Sequence, residues 1–170
     1  AICEIGHQIG ALVVVDNTFL TPYFQRPLNL GADIVLHSGT KYLGGHNDVL
    51  AGLVVVKDDK IGEKLEIQMY INGAGLGPMD SWILLRGIKT LALRMKKHEE
   101  NAIKVAEFLR THQKVEEVYF VGFESHPDYA TTKKQSTGFG GMISFRVNNM
   151  ETVNNLLNRI KLVTFAESLG

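Results

Sequence analysis

Two short apolar runs, "LVVV" at 12–15 and "DIVLHS" at 33–38, each stop abruptly at polar residues and show no amphipathic pattern. Continuous runs of this length predict strands covered on both faces, and such strands belong to sheets flanked by helices. A third run, "VLAGLVVVK" at 49–57, repeats the pattern and is broken by Gly52. Between the first two, Pro22 and Pro27 confine any helix to a short piece ending at Gly31. The expected fold class is α/β with a mostly parallel sheet.

Further along, charged helix-like residues "DDKIGEKLEIQM" lead to a Gly-rich joint, "GAGLGPMD" at 73–80. From Trp82 to Leu109 apolar residues recur close to a 3.6 period. This predicts two helices or one bent helix, interrupted at Gly87 and at "KKHEEN". Then "VEEVYF" (115–120), "GGMISFRV" (140–147) and "KLVTFA" (161–166) read as strands, with "METVNNLLNRI" (150–160) as a helix. These strands alternate more, as in a sheet with one wetted face. A domain boundary is expected near residue 95, with 1–95 in an α/β unit and 96–170 starting a smaller α+β unit.

Composition narrows the function classes. The 18 Lys plus Arg equal the 18 Asp plus Glu, so no net field recruits nucleic acid or an acidic membrane surface. The single cysteine, Cys3, precludes an intrachain disulfide framework and fits a reducing, cytoplasmic compartment. No apolar run reaches the roughly 18 residues of a membrane span. "AICEIGHQIGALVVV" opens inside helix-like residues and "VTFAESLG" stops after a strand-like run, so the chain reads as an internal piece of a longer polypeptide.

The chemistry gathers at the ends of the first two strands. Parallel strands joined by a short crossover place their C-terminal ends on one edge of the sheet, where α/β proteins bind ligands. Asp16 ends the first strand, and Ser38, Thr40 and Lys41 follow the second. A carboxylate, two hydroxyls and a lysine suit a ligand with a basic ring nitrogen, a phosphate and an aldehyde, which is pyridoxal phosphate. At about 3 Å and an effective dielectric near 20, a carboxylate favours a protonated ring nitrogen by roughly 5 kcal/mol before solvation costs. Lysine supplies the amine for the aldehyde.

The stretch "VVDNTFLTPYFQRPLNLGADIVLHSGTKYLGGHNDVLAGLVVV" resembles the Cys/Met-metabolism pyridoxal-phosphate enzymes, the cystathionine γ-lyase, β-lyase and γ-synthase group. The resemblance continues through "LGPMDSWILLRGIKTLALRM", "QSTGFGGMISF" and "FAESLG". It implies the aspartate-aminotransferase-like fold, with Lys41 as the Schiff-base lysine and Asp16 facing the pyridine nitrogen. It also implies that Thr18 orients Asp16, that Ser38 and Thr40 bind phosphate, and that Glu167 and Ser168 contact substrate. The implied activity is carbon–sulfur cleavage of cystathionine or a related sulfur amino acid, in a homotetramer built as a dimer of dimers. The rivals are a synthase joining cysteine to an activated homoserine and a catalytically incomplete fragment. Gly39 stands where Ala or Cys is frequent in that family, a smaller residue expected to be harmless.

Two other patterns carry less. "GAGLG" follows a charged helix instead of a strand, so it is a joint and not a dinucleotide loop. His37, His46 and Asp48 lack further partners at ligand spacing and read as pinned loop residues, so no metal is expected.

Overall fold

The computed structural model describes residues 1–166 and Ser168. The chain divides into two compact units, Ala1–Ala92 and Leu93–Leu169. In the first, α1 (Ile2–Gln8) leads into β1 (Val14–Asp16), followed by α2 (Thr21–Phe24) and a 3-10 turn (Pro27–Leu30). β2 (Ile34–Ser38), a π-type turn (Gly39–Leu43), β3 (Gly52–Val56), α3 (Asp59–Asn72) and α4 (Pro78–Ile88) complete it.

The strands lie in the order β1-β2-β3. β1 and β2 run parallel, with Val14 opposite Ile34 and Asp16 opposite Leu36. Asp33 starts that pairing: its carboxylate accepts the Val13 N–H at 2.7 Å and lies 2.9 Å from His7 Nε2. β3 runs antiparallel to β2, with Ser38 opposite Gly52, so the sheet is half parallel by pairing and not mostly so. Parallel pairing needs a crossover of a dozen or more residues, usually helical, over the sheet. The segment after Ser38 instead curls into the turn and comes straight back. Only β2 is centrally placed, and its Val35 and His37 are buried. β1 and β3 are edges in this sheet and expose Val14, Val54 and Val55, unlike the two-sided burial expected of them.

The long helical stretch is two helices, α4 and α5 (Leu91–Thr111). Neither expected interruption is the break. Gly87 lies inside α4 and "KKHEEN" inside α5, while the chain turns at Lys89–Thr90, where the Thr90 hydroxyl donates to the Gly87 carbonyl at 3.2 Å. A helix glycine and a charged run are both tolerated when i,i+3 pairs such as Lys97–Glu100 line the exposed face.

The second unit holds β4 (Val115–Tyr119), α6 (Tyr129–Gln135), β5 (Ser144–Val147) and α7 (Met150–Arg159). β4 and β5 pair antiparallel, with a register shift between Val115 and Glu117. Ala102 and Ala106 of α5 pack with Phe120 and Phe123, whose rings meet edge to face at 5.4 Å. Asn149 caps α7 by accepting the Thr152 N–H at 2.8 Å.

The expected strand at 161–166 does not form: these residues are bends and irregular backbone. A strand exists only with a partner for its ladder, and this segment has none among the described residues. Its Leu162 and Phe165 are exposed. Among the described residues no helix is long and apolar enough to cross a membrane.

Candidate active site

β1 ends at Asp16, and the next three residues turn the chain away from the sheet. Asn17 drives the turn from inside. It is 3% exposed, and its side-chain amide donates to the carbonyls of Thr21 at 3.1 Å and Gln25 at 2.9 Å. Thr21, buried and followed by Pro22, sits at φ 58, a left-handed conformation that a β-branched residue adopts only when neighbours impose it.

Asp16 itself is held by Thr18. Its Oδ1 accepts the Thr18 hydroxyl at 2.6 Å and the Thr18 N–H at 3.0 Å. These two donors, the hydroxyl first, hold the Asp16 carboxyl below the ordinary carboxylate range. The Thr18 oxygen in turn accepts the N–H of Ser38 at 2.8 Å. One hydroxyl therefore links the tips of β1 and β2.

Strand alternation and register put Asp16, Leu36, Ser38, Gly52 and Val54 on one face of the sheet. These residues line an open depression of about 820 Å³, closed on its other side by α3 residues including Leu65 and Met69. Lys41 and Thr40 are not part of that lining. They stand on the turn just beyond Ser38, where Thr40 is spoken for by the backbone: its Oγ1 accepts the Ala51 N–H at 3.1 Å and donates to the Ala51 carbonyl at 3.4 Å.

The turn carrying Lys41 is anchored on both sides. The Gly44 N–H bonds the Gly39 carbonyl at 2.8 Å, and the Gly45 N–H bonds the Lys41 carbonyl at 2.8 Å. Tyr42 is buried and meets Phe19 edge to face at 6.4 Å between centroids. That contact brings the segment after Asp16 against the segment holding Lys41. Burial pushes the Tyr42 phenol up, which keeps it neutral.

On the opposite face of β2, His37 is buried and its Nδ1 has no hydrogen-bond partner among the described residues. Burial pushes its pKa down, against a smaller opposing pull from the Asn17 backbone and the Asp16 charge. Neither His37 nor any other set of three His, Cys, Asp or Glu side chains among the described residues forms a metal cluster. Ser168 is exposed in the second unit, and Glu167 lies outside the described residues.

A family model for Cys/Met metabolism PLP-dependent enzymes matches residues 1–170. The chain belongs to that family. It is 54% identical over 167 residues to a cystathionine gamma-lyase of Bacillus subtilis, covering 98% of this chain and 44% of that protein. It is 53% identical over 169 residues to a cystathionine beta-lyase of Lactococcus lactis subsp. cremoris, covering 99% of this chain and 44% of the relative. A solved cystathionine gamma synthase of Xanthomonas oryzae pv. oryzae, in complex with cystathionine, superposes with a TM-score of 0.97 at 44% identity. That match covers 99% of this chain and 44% of the solved one. The chain thus spans under half the length of these relatives, and the fold class read from the sequence is theirs.

The family's cofactor can be tested against the side chains present. A pyridine nitrogen needs a charged acceptor, and Asp16 is one: Thr18 occupies Oδ1, while Oδ2 has no donor among the described residues. Ser38 shares its face. The residues fit the nitrogen end of PLP directly, whereas Thr40 offers its hydroxyl to a phosphate only by giving up the Ala51 carbonyl.

Reasoning from sequence missed two contacts here, the Thr18–Ser38 bond and the Tyr42–Phe19 packing. A Thr two residues after a strand-end Asp is a signal for the first, since that spacing forms a local side-chain turn. Thr18→Val keeps the shape but removes both bonds of the hydroxyl. Its expected cost is about 2 kcal/mol of stability, read as a lower denaturant midpoint at unchanged slope. Thr18→Ser, which keeps the hydroxyl, should lose clearly less; a Val variant as stable as the parent would show that the hydroxyl bonds contribute nothing.

Proposed function

We propose that this chain carries the cofactor-binding part of a PLP-dependent carbon–sulfur lyase acting on cystathionine or a related sulfur amino acid. The observation that carries the reading is the joined strand tips: Thr18 bonds Asp16 and the Ser38 N–H together, while Tyr42 packs the lysine turn against Phe19. Bound there, PLP supplies a protonated pyridine ring that takes up the electron pair released at the substrate Cα.

In this reading Asp16 keeps the proton on the ring nitrogen, and Thr18 keeps Asp16 charged and aimed. Ser38 and Thr40 hold phosphate oxygens. Lys41 would hold the cofactor through its aldehyde carbon, and its amine would serve as general acid and base at the substrate Cα and Cγ. Glu167 would receive the distal ammonium of cystathionine, and Ser168 the substrate carboxylate. The unit ending at Ala92 then belongs to the large cofactor-binding domain and the following unit to the C-terminal domain. A homotetramer working in the cytoplasm completes the proposal.

A second reading, synthesis of cystathionine from cysteine and an activated homoserine, draws support from the gamma synthase likeness. Both reactions use the same lysine and aspartate. Product analysis separates them: cystathionine alone yields cleavage products in the first case, whereas O-acetylhomoserine plus cysteine is consumed in the second.

The lysine assignment has its own test. Borohydride reduction of the PLP-loaded full chain, followed by peptide mapping, should place the covalent adduct on Lys41, and Lys41→Ala should carry none. An adduct on another lysine, or an undiminished one in the variant, overturns the reading.

A further inference from the structure

Gly87 sits inside α4, where glycine is a poorer helix former than alanine, so its presence needs a reason outside the helix. The structure supplies one. A Cβ at Gly87 would lie 2.2 Å from the carbonyl oxygen of Gly44 and 2.9 Å from that of Leu43. Both are backbone atoms, which cannot swing aside as a side-chain end can. One turn earlier on the same helix, buried Leu84 reaches Gly39: its Cδ1 lies 3.2 Å from where a Cβ there would stand.

α4 therefore presses on both ends of the turn that bears Lys41, on Gly39 through Leu84 and on Leu43–Gly44 through Gly87. The turn has no slack against the sheet either. A Cβ at Gly39 would come within 2.9 Å of Ala51 Cβ and Leu53 Cδ1 of the β3 side. Thr40 is tied to Ala51 by three hydrogen bonds, two through its hydroxyl and one from its backbone N–H to the Ala51 carbonyl at 3.2 Å. The lysine backbone is clamped between a helix and a strand, and the clamp closes only because residue 87 has no side chain.

We propose that Gly87 is a positioning residue: its backbone contact with Leu43 and Gly44 sets where Lys41 stands, and so how readily its amine reaches a cofactor aldehyde. This rests on the lysine assignment made above. Gly87→Ala strengthens α4 as a helix, so any loss comes from the collision with the turn. The collision displaces the backbone flanking Lys41 while leaving Asp16, Thr18 and Ser38 in place.

The test compares two ligands on the full chain: PLP, which can bond the lysine, and pyridoxamine phosphate, which has the same ring and phosphate but no aldehyde. In Gly87→Ala the preference for PLP over pyridoxamine phosphate should fall by about 100-fold, the scale of a 1 Å misplacement. Affinity for pyridoxamine phosphate should fall by only severalfold, because Asp16 and Ser38 lie outside the displaced turn and Thr40 alone among the proposed ring and phosphate contacts lies on it. Equal losses for both ligands, or no loss, overturn the proposal. Leu85→Ala, on the exposed side of the same helix, should keep the parent preference; a similar fall there would also overturn it.

If Gly87→Ala does not fold, as judged by circular dichroism, Leu84→Ala serves instead, since it opens space under Gly39 without a collision. Its preference for PLP should fall in the same direction by roughly tenfold, a looser turn being less well aimed. An unchanged preference in folded Leu84→Ala overturns the proposal. Failure of the lysine assignment is distinguishable: the parent chain would then show no Lys41 adduct, which removes both ideas, whereas a Lys41 adduct with an unmoved preference removes this one alone.

Discussion

Asp16→Asn is expected to leave cofactor bound and to lower turnover by about three orders of magnitude, roughly the upper-limit 5 kcal/mol of a carboxylate–pyridinium contact less its solvation cost. The amide keeps the size of the carboxylate and can still accept from Thr18, so β1 and its turn should survive. What disappears is the negative charge that, on the proposed reading, would hold a proton on the ring nitrogen. Cofactor absorbance and turnover of cystathionine, measured on the same preparation, separate the two effects. Parent-level turnover in the Asn variant would remove Asp16 from the mechanism, and loss of cofactor would recast it as a binding residue alone.

Asn17→Asp should be the most damaging single change for the fold. The buried Thr21 carbonyl and the half-buried Gln25 carbonyl both accept from the Asn17 amide, the first of them also receiving the Gln25 N–H. An ionised carboxylate offers them no hydrogen and brings charge into a site 3% exposed, beside a residue already negative. The expected cost is about 3–5 kcal/mol, the scale of an uncompensated buried charge, against about 2 kcal/mol for Asn17→Ala. The pH dependence gives the sign. Burial raises the pKa of the introduced carboxyl above its unfolded value, so the penalty is full above that raised pKa. It recedes as pH falls and the group protonates and becomes a donor. Chemical denaturation of both variants at neutral and acid pH checks this; an Asp variant no weaker than the Ala variant at neutral pH would show that the site is wetter than its burial implies.

Much of this was legible in the chain. "LVVV" and "DIVLHS" became a parallel pair because short unalternating runs have few other uses, and the residues ending them did meet at one edge. The direction of β3 was not legible, since "VLAGLVVV" reads the same in either sense and only the length and curl of residues 39–51 decide it. "KLVTFA" failed for a related reason. Strand-like composition states a capacity, and a ladder partner must realise it. The helix break was misplaced because Gly87 looked like a local weakness. It is in fact a long-range contact, made 43 residues away from Gly44, and no local window contains it.

The hydroxyl of Thr18 touches both strand tips at once, and this has a bearing on how the crevice responds to disturbance. Were each tip tethered separately, a jolt at the serine could be absorbed before it reached the aspartate. With a single oxygen serving as the rung between them, the two rails of the ladder cannot splay independently. A ligand pulling on one end of the crevice would stiffen the other, without any moving part between them.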